Sequence, residues 1–372
     1  ATRWKKAMRK MKDGTPHISH GRMQSLTLSS PLCRLQSGPS WPSMGHPQEA
    51  LTVNFGFSIP GRGPLAKPDL ILKLAPKVEQ LGYSSIFVTD HVVLPTTSKS
   101  VYPYQPSGQF PGGASQDYLE PLTLMSYLAA ATKKIRLGTS VLIVPYRNPL
   151  VTAKMLATLD VLSGGRIILG CGVGWLQEEF AALGAPPFGE RGKVTDEYIR
   201  LMRECWTKDR IEFRGTYYRV SDIVFLPKPV QKPAIPIWIG GHTEGALRRA
   251  GELGDGWHPI GLRPPALLHP PEYAEKVKKI HAWAARAGRN PKQITLTFRA
   301  PMEVWSKRAK PPGGDRPLLR GTAEQVIADI RQYQALGVTH FVFDHTASDL
   351  KTIVANMERF AEDVRPKVRR AP

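Results

Sequence analysis

The sequence predicts a (β/α)8 TIM barrel with insertions. Three observations carry this reading: eight short apolar runs are each followed by a stretch of helical spacing, the runs are apolar throughout rather than alternating, and 372 residues suffice for such a barrel with additions. Strands apolar along their whole length have both faces covered, as parallel strands flanked by crossover helices must. A doubly wound open sheet is the alternative. A helix after the eighth run, with no composition change mid-chain, favours the closed ring.

The elements follow in order. The first strand is LTVNFGFS (51–58), bounded by Pro60 and Gly61, and a helix follows over 67–82 with Leu70, Leu74, Val78 and Leu81 on one face and Gly82 at its end. The second strand is SSIFVTD (84–90). A long loop rich in Pro, Gly, Ser and Tyr (91–117) separates it from a helix over 118–132. The third pair is a strand over 135–145 and a helix over 150–165, stopped by Gly164 and Gly165. The fourth is RIILGCG (166–172) with a helix over 193–207, and 213–233 reads as an excursion of hairpin type. Strands at 235–241, 255–261, 293–305 and 339–345 alternate with helices at 243–254, 270–288, 322–337 and 349–368.

Charge and composition narrow the function. The net charge is +20, and residues 1–50 carry eight Lys/Arg against Asp13 and Glu49. That segment has no sustained period and no signal-peptide core, so it is expected to be a disordered basic extension ahead of a barrel domain at 51–372. A nucleic-acid arm or an organelle presequence are the other readings of it. The remaining basic residues are scattered, which describes a solvated surface rather than a nucleic-acid stripe. Three cysteines without a CxxC make no disulfide framework and point to a reducing, cytoplasmic setting. No apolar run reaches the roughly 18 residues of a membrane span. HExxH, GxSxG and GxxxxGK[ST] are all absent, so no metal, serine-hydrolase or P-loop motif is present.

In a barrel the chemistry belongs to the loops after the strands. Asp90-His91 follows strand two, where the histidine can exchange a proton or hydrogen-bond near neutral pH, or tether the loop. Ser140, small and near the end of strand three, leaves room for a ligand. Arg147 pairs with an anion or holds the next helix. Strand four runs into Gly170-Cys171-Gly172-Val173-Gly174-Trp175. Its alternate glycines admit the backbone close to a flat or phosphorylated ligand, or serve as turn residues. Trp175 occupies the place a dinucleotide fingerprint would give to glycine. Strand five ends in Gly240-Gly241-His242-Thr243 and a helix begins at once. Its free N–H groups suit a phosphate, and a tight turn with Thr243 as N-cap is the plainer alternative. Cys171 reads as packing.

Taken together, IFVTDH, IRLGTSVLIVPYRNPL, LDVLSGGRIILGCGVGWLQEEF, FGERGKVTDEYI and IPIWIGGHTEGALRRAGELGDGW resemble the bacterial luciferase-like monooxygenase superfamily. The similarity runs from about Val53 to Val364 and is greatest to the oxidoreductases that use the deazaflavin coenzyme F420. The resemblance implies a cofactor, the deazaflavin or alternatively FMN, across the C-terminal mouth of the barrel. It implies a non-prolyl cis peptide at Ser140-Val141 behind the cofactor ring, with His91 beside the ring. Gly172, Val173 and Gly174 would lie along the cofactor, and Gly240, Gly241, His242 and Thr243 around its phosphate. It further implies hydride transfer with a small organic substrate, and a homodimer. Trp175 departs from the sugar-phosphate dehydrogenases of the family, which place an acid there. Trp175, Phe57, Trp257, Tyr102, Tyr104 and Phe110 are expected to line an apolar substrate pocket. Nucleic-acid binding and a non-catalytic barrel are the readings from other classes.

Overall fold

Strand β1 (Asn54–Ser58) pairs in parallel with β2 (Ser85–Val88) on one side and with β8 (Val338–Asp344) on the other. This pairing continues through β3 (Arg136–Thr139), β4 (Ile167–Gly172), β5 (Ile237–Gly240), β6 (Gly256–His258) and β7 (Thr295–Pro301) in the order β3-β2-β1-β8-β7-β6-β5-β4. Leu137 opposite Ile167 and Gly138 opposite Ile168 join β3 to β4 and close the ring. The computed structural model describes residues 53–306, 316–344 and 347–368. The extension expected at 1–50 lies outside them, as does His345 at the end of the last expected strand.

Helices cover the ring: α1 (Pro68–Gln80), α2 (Pro121–Ala131), α3 (Pro149–Ser163), α4 (Arg191–Thr207), α5 (Glu244–Leu253), α6 (Pro270–Arg286), α7 (Ala323–Gln334) and α8 (Leu350–Arg359). Their ends are written locally. Asn148 accepts from the N–H groups of Leu150 and Val151 at the start of α3, and Gly164, at φ 70°, ends it. Thr322 and Gln325 form a capping box on α7. The helix expected over 349–368 is interrupted by a π turn at Phe360–Val364. The excursion after α4 is an antiparallel hairpin, Arg210–Arg214 with Arg219–Val224.

The core lies between strands and helices. Phe55, Phe57, Val88, Leu169, Ile239, Trp257, Phe298 and Phe343 point outward into it and are at most 3% exposed. The alternate residues point into the barrel, and many of these are polar or lack a side chain. Ser85 bonds His340 at 2.7 Å, and Phe87 stacks with Trp238 and His258 from across the ring. Strand three departs from the expected unbroken run of 135–145. It stops at Thr139 and resumes as the short segment Leu142–Ile143, and β4 pairs with both parts. Between them the Ser140–Val141 peptide is cis.

Candidate active site

The C-terminal ends of the strands meet at one rim, and the cis peptide sits there with glycines packed around it. A Cβ at Gly172 would lie 2.3 Å from Cγ2 of Val141, and one at Gly240 would lie 2.8 Å from Cγ1 of Val141. Both glycines therefore seat the two methyls of one half-buried valine. This packing accounts for their small size, a reason the sequence readings of ligand approach, phosphate binding or turn formation did not include. Gly174 and Gly241 adopt φ of 86° and 97°, the region that favours glycine.

The other face of this peptide is held from inside the barrel. The Ser140 hydroxyl lies 2.7 Å from Nε2 of His258, whose Nδ1 lies 2.7 Å from the Thr297 hydroxyl. Thr297 donates to the Trp257 carbonyl at 3.0 Å, so it accepts from Nδ1–H, and Ser140 in turn donates to Nε2. Arg299 donates to the Ser140 hydroxyl at 2.9 Å and to the Ser140 carbonyl. Its other nitrogens pair with Asp344 at 2.7 and 2.9 Å, and Arg263 takes the second oxygen of Asp344 at 2.9 Å. Burial pushes His258 down to about 3, with the Arg299 charge adding to the effect, so its ring is neutral. Burial works to raise the Asp344 carboxyl, but the two guanidinium groups outweigh it and hold the acid well below the usual range. Ser140 is thus 6% exposed with its hydroxyl committed inward, and Val141 is what it presents to the rim. His258, Thr297, Arg299 and Asp344 were not singled out in the sequence, although all four lie at the inward-facing alternate positions of their strands.

On the strand-two side, His91 is buried and its Nδ1 lies 2.6 Å from Oε2 of Glu179. Glu179 belongs to a six-residue helix, Gln177–Ala182, that follows the glycine loop. The rings of Phe110, Tyr118 and Trp175 surround His91 at 4.8, 5.2 and 5.9 Å. Tyr102 packs on both Phe110 and Trp175. Of the residues expected to line a substrate pocket, Tyr102, Phe110 and Trp175 are brought together beside His91; the expectation that such a pocket is lined by all six is not met. It fails for Phe57 and Trp257, which point outward between strands and helices: Phe57 packs on Tyr83, and Trp257 packs on Tyr273 of α6. The loop that carries the aromatics is fastened at its edge. Glu178 accepts from the Lys99 and Ser100 N–H groups and the Ser100 hydroxyl, and Arg62 donates to the Pro111 carbonyl at 2.9 Å.

Arg147 is not a free anion ligand. It forms a bidentate pair with Asp90 at 2.7 and 2.8 Å and also reaches Glu120, holding the loop ends together. Asp90 further accepts from the Ile143 N–H. Cys171 is wholly buried, its thiol pushed up to about 12 by burial, as a packing residue should be.

At the strand-five turn, Thr243 caps α5 by accepting from the Ala246 N–H, which leaves the first-turn N–H groups of Glu244 and Gly245 without intrahelical acceptors. His242 faces Tyr104, ring centroids 6.2 Å apart, and its buried Nε2 has no hydrogen-bond partner among the described residues. The Lys276 ammonium lies 3.4 Å from the His242 carbonyl, and Glu244 is paired with Lys279. Free N–H groups, a nearby ammonium and an orphaned ring nitrogen fit a phosphate or its sugar-like linker. Among the described residues, no helix is long and apolar enough to cross a membrane.

The closed parallel barrel thus gathers the cis peptide, the glycine loop and a helix start with free N–H groups at one rim. The chain belongs to the luciferase-like monooxygenase family, whose model matches residues 50–310. An uncharacterized protein of Mycobacterium tuberculosis is 32% identical over 297 residues, covering 80% of this chain and 95% of its own. The F420-dependent glucose-6-phosphate dehydrogenase of Amycolatopsis mediterranei is 28% identical, over 81% of this chain and 95% of that one. The monooxygenase RslO1 of Streptomyces bottropensis superposes with a TM-score of 0.69 at 22% identity, covering 84% of this chain and 99% of that one, and so shares the fold. The protein is therefore an oxidoreductase of a family that includes deazaflavin-dependent dehydrogenases.

Proposed function

We propose that the protein transfers a hydride between coenzyme F420 and a small, largely apolar alcohol or carbonyl compound. The observation that carries this reading is the shared rim: the Val141 bulge, the His91 chamber and the His242–Gly245 turn lie at the same ends of β3, β2 and β5. The turn suits the phosphate end of a flavin-like cofactor, Val141 suits the back of its ring, and His91 suits the reacting side. The deazaflavin is preferred over FMN because the dehydrogenase relative that uses it aligns over 95% of its length.

When bound, the deazaflavin supplies a carbon centre that accepts or gives a hydride. The protein's own residues do the rest. Thr243, the N–H groups of Glu244 and Gly245, and Lys276 hold the anionic end. The loop aromatics Tyr102, Phe110 and Trp175 exclude water and receive an apolar substrate. His91 takes the hydroxyl proton as the substrate carbon loses hydride, and returns it in the reverse direction. Trp175, in the position of an acid in the sugar-phosphate dehydrogenases, argues against sugar phosphates as substrates.

The test adds oxidised deazaflavin or FMN to the apo protein and follows fluorescence quenching. Turnover is then measured with a panel of apolar secondary alcohols and ketones. Tight deazaflavin binding with hydride transfer is expected. Turnover with reduced FMN and oxygen, and none with the deazaflavin, overturns the proposal in favour of a monooxygenase.

A further inference from the structure

We infer that Glu179 is the positioning residue that fixes the imidazole of His91 with its proton on Nδ1, leaving Nε2 as the nitrogen that exchanges a proton with substrate. The inference deepens the hydride-transfer reading and rests on it for its catalytic meaning. Its structural content stands apart from that reading.

The argument begins with the carboxylate. Glu179 is completely buried. Its Oε1 accepts from the Val92 N–H at 2.6 Å and the Val93 N–H at 3.2 Å. Its Oε2 accepts from the Tyr146 hydroxyl at 2.9 Å and lies 2.6 Å from His91 Nδ1. Burial works to push the pKa of this carboxyl up, and the bonds from His91, Val92 and Tyr146 outweigh it, so the acid is held below its usual value. An ionised carboxylate only accepts hydrogen bonds. The nitrogen facing it must therefore carry hydrogen, whether the ring is neutral or protonated. In the neutral ring that places the lone pair on Nε2, on the opposite edge, where no hydrogen-bond partner occurs among the described residues.

The surroundings make His91 the cation that can balance this carboxylate. Arg147, paired with the residue preceding His91, is committed to Asp90 and Glu120. The remaining donors to Glu179 are neutral. The contact between Nδ1 and the buried carboxylate, 2.6 Å long, holds that edge of the ring against Glu179. Rotation of the ring is opposed by Phe110, Tyr118 and Trp175 packed around it. One carboxylate thus gathers the end of strand two, the turn after strand three and the loop after strand four around a single ring nitrogen.

The test uses full-length apo protein labelled with 15N-histidine. Ring-nitrogen correlation spectra locate the proton, and His91→Gln identifies the His91 signals. The expected wild-type spectrum shows the neutral ring protonated at Nδ1, and Glu179→Gln moves the proton wholly or partly to Nε2. A wild-type ring protonated at Nε2 overturns the inference, and that spectrum decides the matter even where a variant fails to fold. In turnover, Glu179→Gln lowers kcat by about 10²-fold or more with KM little changed, and in the His91→Gln background it adds little. Multiplicative losses in the double variant would mean a purely structural role for Glu179. Absence of any hydride transfer by the wild type would instead refute the proposed function, while leaving the tautomer result intact.

Discussion

Replacing Gly172 by alanine tests whether the rim is built around Val141. The new Cβ would stand 2.3 Å from Cγ2 of Val141, 3.2 Å from Cδ1 of Ile143 and 3.3 Å from Cβ of Val141. Carbon atoms pack at about 3.5–4.0 Å, so the closest contact is more than 1 Å too short. Rotating Val141 offers little relief, because its other methyl already occupies the space at Gly240. The backbone at Ser140–Val141 has to move, and overpacking of this kind costs about 1–3 kcal/mol. Val141→Ala alone removes two methyls from a half-buried site and should cost about 1 kcal/mol. The double variant should then be nearly as stable as Val141→Ala, a favourable coupling of about 1–3 kcal/mol. Urea midpoints at constant m-value measure stability, and fluorescence titration with the deazaflavin measures the site. Gly172→Ala is expected to weaken cofactor binding because the shifted bulge no longer presents the same surface to the ring. The reasoning fails if Gly172→Ala matches the wild type in both assays, or if the two single losses add in the double variant.

Two further outcomes follow from the rim. His258 is held neutral down to about 3 by burial and by Arg299, whereas an unfolded histidine titrates near about 6.5. Its folded value is depressed, so its stabilisation is complete above about 6.5 and is lost progressively as pH falls towards about 3. His258→Gln should therefore reduce the slope of stability against pH between 6 and 4 by about 1.4 kcal/mol per unit, one proton's worth. His340 and His242, also lowered by burial, keep a residual slope, and an unchanged slope in urea midpoints counts against the assignment. Glu178→Ala removes the acceptor that fastens Lys99 and Ser100, so limited proteolysis within 94–116 should accelerate several-fold at neutral pH. Equal cleavage rates would show that the aromatic loop is held elsewhere.

The eight strand–helix units were legible because their outward-facing residues dominate the hydrophobic count. Phe55 and Phe57, Ile86 and Val88, or Ile237 and Ile239 mark core strands wherever they occur. The inward-facing positions between them were masked by the same residues. Reading 84–90 as an apolar run hides that Ser85 and Phe87 face a barrel interior containing His340 and Trp238. The polar chain from Thr297 through His258 and Ser140 to Arg299 links β7, β6 and the end of β3, and no local spacing announces contacts between strands more than a hundred residues apart in sequence. The rim glycines were found, but the reason for them was not. Only the close approach of Val141 shows that Gly172 and Gly240 serve the cis peptide. Glu179 sits beside a second acid, Glu178, about one turn beyond Trp175, and nothing in the local sequence separates the two. Its selection over Glu178 depends on the chain bringing it under His91, while Glu178 stays at the surface with Ser100.

The arrangement separates two tasks that meet at the reacting centre. The interior chain of His258, Ser140, Arg299 and Asp344 lies behind Val141 and is closed on itself: each donor and acceptor along it has a partner, and its charges are paired within the barrel. It therefore fixes the shape of the surface against which a ring can rest without itself offering a proton. The His91–Glu179 pair lies on the segments that follow β2 and β4, has a nitrogen unbonded among the described residues, and is enclosed by aromatic rings from a separately fastened loop. In the proposed reaction, geometry is thus supplied by β3, β6, β7 and β8, and proton exchange would fall to the loops after β2 and β4. Substitutions in the first group should change how tightly a cofactor is held, and substitutions in the second should change the rate once it is held. A chain that needs to alter its substrate can do so through Tyr102, Phe110 and Trp175 in the loops, leaving the barrel interior untouched.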